Sequence, residues 1–186
     1  GDLYGRKPFL LAAITIFVAA SLACGAAGSM LFLILARGVQ GIGAGMLQAT
    51  AFTSVGDLFP QPARRARWQG IITSTFGLAS VVGPSLGGIM TDTLGWRSVF
   101  YVNLPVGILA IVVLIFTLPS NLSPRTPNAR VDWAGAALIT VAVSAFLLAV
   151  EWGGTELPWG SPAIIGLLLG SGVLLVAFVW VERRAP

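Results

Sequence analysis

Long apolar runs separated by short polar segments dominate the sequence. Six of them have about 20 residues, the number that a helix needs to cross a bilayer core of roughly 30 Å. These runs cover residues 8–28, 31–55, 70–90, 98–118, 133–152 and 162–181. They do not alternate between apolar and polar positions, and in lipid only helices and closed barrels satisfy the backbone. The pattern therefore predicts an all-α membrane protein with six transmembrane helices.

The basic residues between the runs predict how these helices are oriented. Most of the 11 Lys and Arg residues fall on one side of the predicted membrane, at Arg6, Lys7, Arg64, Arg65, Arg67, Arg125, Arg130, Arg183 and Arg184. The side rich in Lys and Arg is normally cytoplasmic. Both ends of the chain are therefore predicted to lie in the cytoplasm, in a multi-pass protein of the cytoplasmic (inner) cell membrane. All six Trp residues fall at or beside the predicted span ends, where indole rings favour the interface.

Composition argues against other classes of function. Only 10% of residues are charged, whereas soluble domains carry about 25%. There is no His and only one Cys, which removes His-dependent nucleophilic sites and the usual zinc sites. We therefore expect no enzyme, no cofactor and no metal. Because membrane orientation accounts for the basic residues, we expect no nucleic acid partner. The chain starts without Met, directly before an apolar run, so the bundle is expected to be truncated at both ends.

One charge remains inside a predicted span. Arg37 lies about 7 Å from the midpoint of the second span at Ile42, and an arginine at such depth costs about 3 kcal/mol. At 100° per residue it shares one helix face with Gly41 and Gln48, with Gln40 at the edge. This polar stripe predicts that Arg37 faces a cavity and is needed for transport. The alternative, that Arg37 extends to the outer headgroups, leaves both glutamines unexplained.

Glycine and proline are concentrated in the third predicted span, at Gly70, Gly83, Pro84, Gly87 and Gly88. Gly83 and Gly87 are one turn apart and permit close approach of a neighbouring helix. Pro84 removes a helical hydrogen bond and can bend the helix. The segment predicts tight helix packing, with a bend that shapes the outer vestibule.

A charged turn precedes the first span. Asp2 and Arg6 flank Gly5, while Asp57 ends the second span on the same predicted side of the membrane. These four residues are a candidate cytoplasmic latch, meaning a charge network that holds the inward face closed. A solvated loop that only follows the orientation rule explains them equally well.

Several of these segments resemble the major facilitator superfamily, in particular its fourteen-helix drug:proton antiporter branch. Residues 2–7 are similar to the end of the loop motif between helices 2 and 3. Residues 37–43 resemble the helix-4 motif, whose arginine is implicated in proton coupling. Gly70 with residues 83–88 resembles the helix-5 antiporter motif, although Ala79 stands where that motif usually has glycine. Residues 95–105 and 132–135 are also similar to segments of this branch.

The resemblance implies a domain organisation. Residues 1–118 become helices 3–6 of the N-terminal bundle, and residues 132–186 become two extra central helices. Residues 119–131, rich in Pro, Ser and Asn, become a cytoplasmic linker, after which Asp132 is placed to cap the fifth span.

The resemblance also implies a function: a proton-coupled antiporter that exports drugs or other small amphipathic molecules by alternating access. Its partners are the lipid bilayer, protons, a small-molecule substrate and the remaining helices of the full-length chain, one of which supplies the proton-carrying acid. Asp57 is then expected to pair with Arg6. Two alternatives stay open: a nutrient importer of the same fold, which the helix-5 pattern argues against, and a non-transporting membrane scaffold or sensor.

Overall fold

The computed structural model describes residues 5–119 and 132–183, where all regular structure is helical apart from one isolated bridge between Gly153 and Leu157. The helices are α1 Arg6–Gly25, α2 Met30–Leu58, α3 Pro62–Leu94, α4 Ser98–Tyr101, α5 Asn103–Thr117, α6 Trp133–Trp152 and α7 Pro162–Glu182. With α4 and α5 counted as one span, Ser98–Thr117, six helices are long and apolar enough to cross a membrane. The predicted all-α membrane fold is confirmed.

Helix α3 differs most from its predicted bounds. It begins at Pro62 rather than at Gly70, and its 33 residues extend about 50 Å, well beyond a hydrocarbon core of roughly 30 Å. The hydropathy pattern does not show this start, because the first turns of α3 contain several basic residues. Pro62 suits a first turn because it lacks only an N–H that the helix does not use. Phe59, just before α3, stacks on Trp68 at a centroid distance of 5.3 Å and fixes the turn from α2.

The first compact unit extends to residue 129 and has α1 at its centre, in contact with α2, α4 and α5. Two glycines allow the close crossings. A Cβ atom at Gly43 of α2 would lie 2.8 Å from the backbone nitrogen of Phe17, and one at Gly107 of α5 would collide with Val18. Helix α3 has no buried residue. The core of this unit therefore lies between α1, α2 and α5.

The second compact unit, from residue 130, contains the antiparallel pair α6 and α7. Asp132 caps α6 as predicted, because its carboxylate accepts a hydrogen bond from the Gly135 N–H at 2.8 Å. The buried residues repeat every seven positions on both helices, at Gly135, Ala142 and Ala149 of α6 and at Ile164 and Ser171 of α7. A Cβ at Gly135 would lie 3.4 Å from the Phe178 ring, which fixes the register of the pair. Small residues at these positions let the two backbones approach closely.

Candidate functional site

Arg37 lies on α2, seven residues after the helix begins at Met30, which is about 10 Å along the axis. Its guanidinium Nη1 donates a 2.7 Å hydrogen bond to Oε1 of Gln40, one turn further along the helix. The guanidinium carbon also lies 5.8 Å from the centroid of the Phe100 ring, within the range of a cation–π contact. Within residues 5–119 and 132–183, no carboxylate oxygen lies within 4.0 Å of this guanidinium. The positive charge of Arg37 is therefore held by neutral groups.

Gln40 is the centre of a buried polar cluster. Only 3% of its surface is exposed, and its amide nitrogen donates a 2.6 Å hydrogen bond to the hydroxyl of Ser21 on α1. The Cys24 thiol approaches the Gln40 carbonyl oxygen at 3.8 Å, a weak donor contact. Both ends of the amide are thus engaged, so the side chain is fixed in one orientation.

Ser21 connects this cluster to a third helix. It is fully buried, and its hydroxyl oxygen also accepts a 3.4 Å hydrogen bond from the amide nitrogen of Asn103 on α5. Helices α1, α2 and α5 therefore meet at one chain of polar side chains that ends at Arg37. The sequence does not single out Ser21, because a lone serine in an apolar span has no pattern of its own. Asn103 lies within residues 95–105, which the sequence marks only through their family resemblance.

Three residues of the predicted cavity stripe, Arg37, Gly41 and Gln48, are exposed, whereas Gln40 at its edge faces α1 and is buried. Gly41 and Gln48 take no part in the polar cluster, and a cavity along the stripe stays a prediction. A Cβ added at Gly41 would meet nothing within 4 Å. The 100° spacing put these residues near one another on the helix, but it could not show that α1 covers only the Gln40 side.

The other membrane end of this unit carries a second polar site. Arg6 Nε donates to Asp57 Oδ2 at 2.8 Å, so the N-terminus of α1 is tied to the C-terminus of α2. Gly5 precedes Arg6 with φ of +88° and ψ of 156°, a backbone conformation that is essentially restricted to glycine. Asp2, the fourth predicted member of the latch, lies outside the described residues.

Lys7 makes the neighbouring connection, which sequence analysis did not assign. Its Nζ donates hydrogen bonds to the carbonyl oxygens of Ile115 at 2.7 Å and Leu118 at 2.8 Å. These carbonyls end α5, where a helix leaves acceptors unpaired and favours positive charge. Arg6 and Lys7 therefore bind two different helix ends from adjacent positions on α1.

The predicted helix-packing residues of α3 have no close partner among the described residues. A Cβ at any of its glycines, including Gly70, Gly83, Gly87 and Gly88, would meet nothing within 4 Å. Pro84 lies inside the helix without ending it. The packing role of this face stays a prediction.

Comparison with known proteins places these features in a family. Residues 1–183 match the Major Facilitator Superfamily. The chain belongs to that superfamily. It is 42% identical over 184 residues to Multidrug resistance protein 3 of Bacillus subtilis, covering 99% of this chain and 35% of the relative.

Two further relatives are likewise matched over only part of their length. Multidrug transporter protein MdtP of Bacillus subtilis is 41% identical over 184 residues, covering 99% of this chain and 34% of its own length. An uncharacterized MFS-type transporter of Mycobacterium tuberculosis is 41% identical over 185 residues, covering 100% of this chain and 26% of its own length. The chain thus spans about a quarter to a third of these relatives.

Proposed function

We propose that the full-length protein is a proton-coupled antiporter that exports small amphipathic molecules by alternating access. The observation that carries this proposal is Arg37, a charge inside a membrane helix that is held by the buried Gln40 rather than by a carboxylate of the described residues. Arg37 itself is exposed among the described residues, and a charge at depth in a membrane helix normally faces an ion or substrate path. The relatives named as multidrug transporters support export of drug-like molecules.

The chemistry follows from a positive charge held in place by a hydrogen bond to Gln40. Such a charge favours the ionised form of a carboxylate that approaches it. None of helices α1, α2 and α5 carries an acidic residue at depth, so the acid is supplied by a helix outside this chain. When that acid takes up a proton its attraction to Arg37 is lost, and the two states of the site differ in free energy. This difference couples proton movement to the change between inward- and outward-facing forms.

The test is Arg37→Ala in the full-length protein, assayed by efflux of the fluorescent cation ethidium from proteoliposomes with an imposed proton gradient. We expect normal insertion and loss of gradient-driven transport. Arg67→Ala is the matched control, because Arg67 is an exposed arginine near the start of α3. Normal driven efflux by Arg37→Ala, with the control also active, would show that the proposal is wrong.

For Asp2, Gly5, Arg6 and Asp57 we propose a cytoplasmic latch. The Arg6–Asp57 ion pair supports it, because its side chains are only 13% and 29% exposed and join two helix ends that must stay together in the inward-closed state. Exchange of the two charges, Arg6→Asp with Asp57→Arg, should restore transport that either single change reduces.

We further propose that the exposed face of α3 packs on helices outside this chain. Gly70, Gly83, Gly87 and Gly88 leave open space beside the backbone, and Pro84 removes one helical hydrogen bond between them. A bend there would shape the outer vestibule of an exporter. Replacement of Gly87 by Leu should block transport while leaving the amount of inserted protein unchanged. Whether the protein exports or imports its substrate is measured separately, by ethidium counterflow in inside-out vesicles.

A further inference from the structure

The amide of Gln40 has only one orientation that satisfies its neighbours. Arg37 can only donate hydrogen bonds, so it requires the carbonyl oxygen of the amide. The amide nitrogen then faces Ser21, whose hydroxyl oxygen accepts it at 2.6 Å. A flipped amide would bring N–H groups against the guanidinium and leave no acceptor for it in this cluster. Arg37 therefore sets which end of the amide faces it, and the hydroxyl of Ser21 holds the other end in place.

Asn103 reinforces this choice from a different helix. Its amide nitrogen donates to the same Ser21 oxygen at 3.4 Å, so this oxygen accepts from both α2 and α5. With two donors directed at it, the Ser21 oxygen acts as an acceptor toward Gln40. Ser21 is fully buried and Gln40 nearly so, and bulk water therefore does not compete for either side chain.

We propose that Ser21 and Asn103 are positioning residues that fix the direction of the Arg37 guanidinium through the Gln40 amide. Neither residue has a hydrogen bond to Arg37 itself; each acts through the amide. The inference rests on the proposed function, in which Arg37 couples proton movement to export. It adds that the position of the coupling charge on α2 is set by α1 and α5, so that a shift of either helix moves the charge.

The strongest competing explanation is that the three hydroxyl and amide groups only hold the helices together. The two explanations differ in what the change of Ser21 should do. A packing role predicts equal losses in every transport mode, because less protein is correctly folded. A positioning role predicts loss only in the mode that uses the proton gradient, since exchange of substrate across the membrane at equal pH does not require the coupling charge to respond to a proton.

The experiment uses the full-length protein in proteoliposomes with ethidium as the probe, and compares proton-driven efflux with exchange at equal pH. For Ser21→Ala we expect driven efflux to fall about three- to twentyfold, the range that corresponds to one hydrogen bond between membrane helices, while exchange stays within about twofold. Asn103→Ala should act in the same direction and less strongly, since its hydrogen bond is longer. Ser54→Ala is the matched control: Ser54 is a buried serine of α2 whose hydroxyl has no hydrogen-bond partner among the described residues, so both modes should be unchanged.

Two results would overturn the inference. One is a parallel fall of exchange and driven efflux in Ser21→Ala, which assigns the hydroxyl to packing. The other is unchanged driven efflux in Ser21→Ala while Arg37→Ala is inactive, which leaves the proposed function intact and removes only the positioning role. Normal driven efflux by Arg37→Ala is a separate failure, that of the proposed function.

Discussion

The hydrogen bond between Gln40 and Ser21 should be measurable as a coupling energy between α2 and α1. Ser21→Ala removes the acceptor and leaves the Gln40 amide nitrogen buried without a partner. Gln40→Leu removes the donor but keeps a side chain of similar length. In the double variant no polar group of this pair remains buried and unpaired, so the two changes together should reduce the free energy of unfolding by less than the sum of the single effects.

The expected magnitude follows from the geometry. Hydrogen bonds between membrane helices average about 0.6 kcal/mol and reach about 1.7 kcal/mol in double-mutant cycles. The Gln40–Ser21 bond is short, at 2.6 Å, and its residues are 3% and 0% exposed. We therefore expect a coupling near the upper end, about 1–1.7 kcal/mol.

The assay is equilibrium unfolding of the full-length protein in mixed micelles, with wild type, both single variants and the double variant measured under the same conditions. A parallel cycle of Gln40→Leu with Ser54→Ala is the control, because Ser54 also lies buried on α2 but has no hydrogen-bond partner among the described residues. That cycle should be additive. Additivity of the Gln40–Ser21 cycle within about 0.3 kcal/mol would refute the reasoning.

Three further predictions concern the packing of the helices. Gly43→Ala should reduce the free energy of unfolding in the same assay by about 1–3 kcal/mol, because the new Cβ would press on the backbone of α1. Gly45→Ala is the control, since its Cβ would meet nothing within 4 Å. Equal effects of the two variants would contradict the close crossing. Lys7→Met should weaken the link between α1 and the end of α5 and so increase protease cleavage at that helix end. Lys7→Arg keeps the positive charge and should retain most of the protection from the protease. Identical cleavage of the two variants would exclude the capping role. The register of α6 and α7 places Ala142 opposite Ser171. Cysteines at these two positions should therefore form a disulfide on oxidation. Absence of cross-linking would show the register to be wrong.

The sequence predicts the helices well because span length and polarity are local properties. A helix such as α6 agrees with its predicted bounds at both ends, since Asp132 marks its start and the apolar run ends at Trp152. The start of α3 was predicted too late because arginines at a membrane interface look like a loop in a hydropathy pattern. A helix can continue into the headgroup region, where water and lipid phosphates surround such charges.

The candidate site was predictable only in part. Arg37 stands out because any charge in an apolar span is costly, and Gln40 because it is polar one turn away. Ser21 and Asn103 do not stand out, as a serine in a membrane helix can satisfy its hydroxyl on its own backbone. Thr15 does so, donating to the Leu11 carbonyl at 2.7 Å. Whether a hydroxyl serves its own helix or a neighbour depends on how the helices cross, and this is a tertiary property.

The glycines of α2 also show that sequence spacing does not reveal which helix contacts are formed. Gly38 and Gly45 lie seven residues apart on one face of α2, a spacing that permits close helix packing, yet a Cβ at either would meet nothing within 4 Å, and the close crossing lies at Gly43. A small residue permits approach from whichever helix happens to face it, so the spacing alone identifies a possible face and not the occupied one. In this chain the occupied face of α2 is the one that also carries Gln40. The hydrogen bond from Gln40 to Ser21 therefore belongs to the same contact as the close crossing of α1 and α2. Separating the two helices at Gly43 should also loosen the support of Arg37.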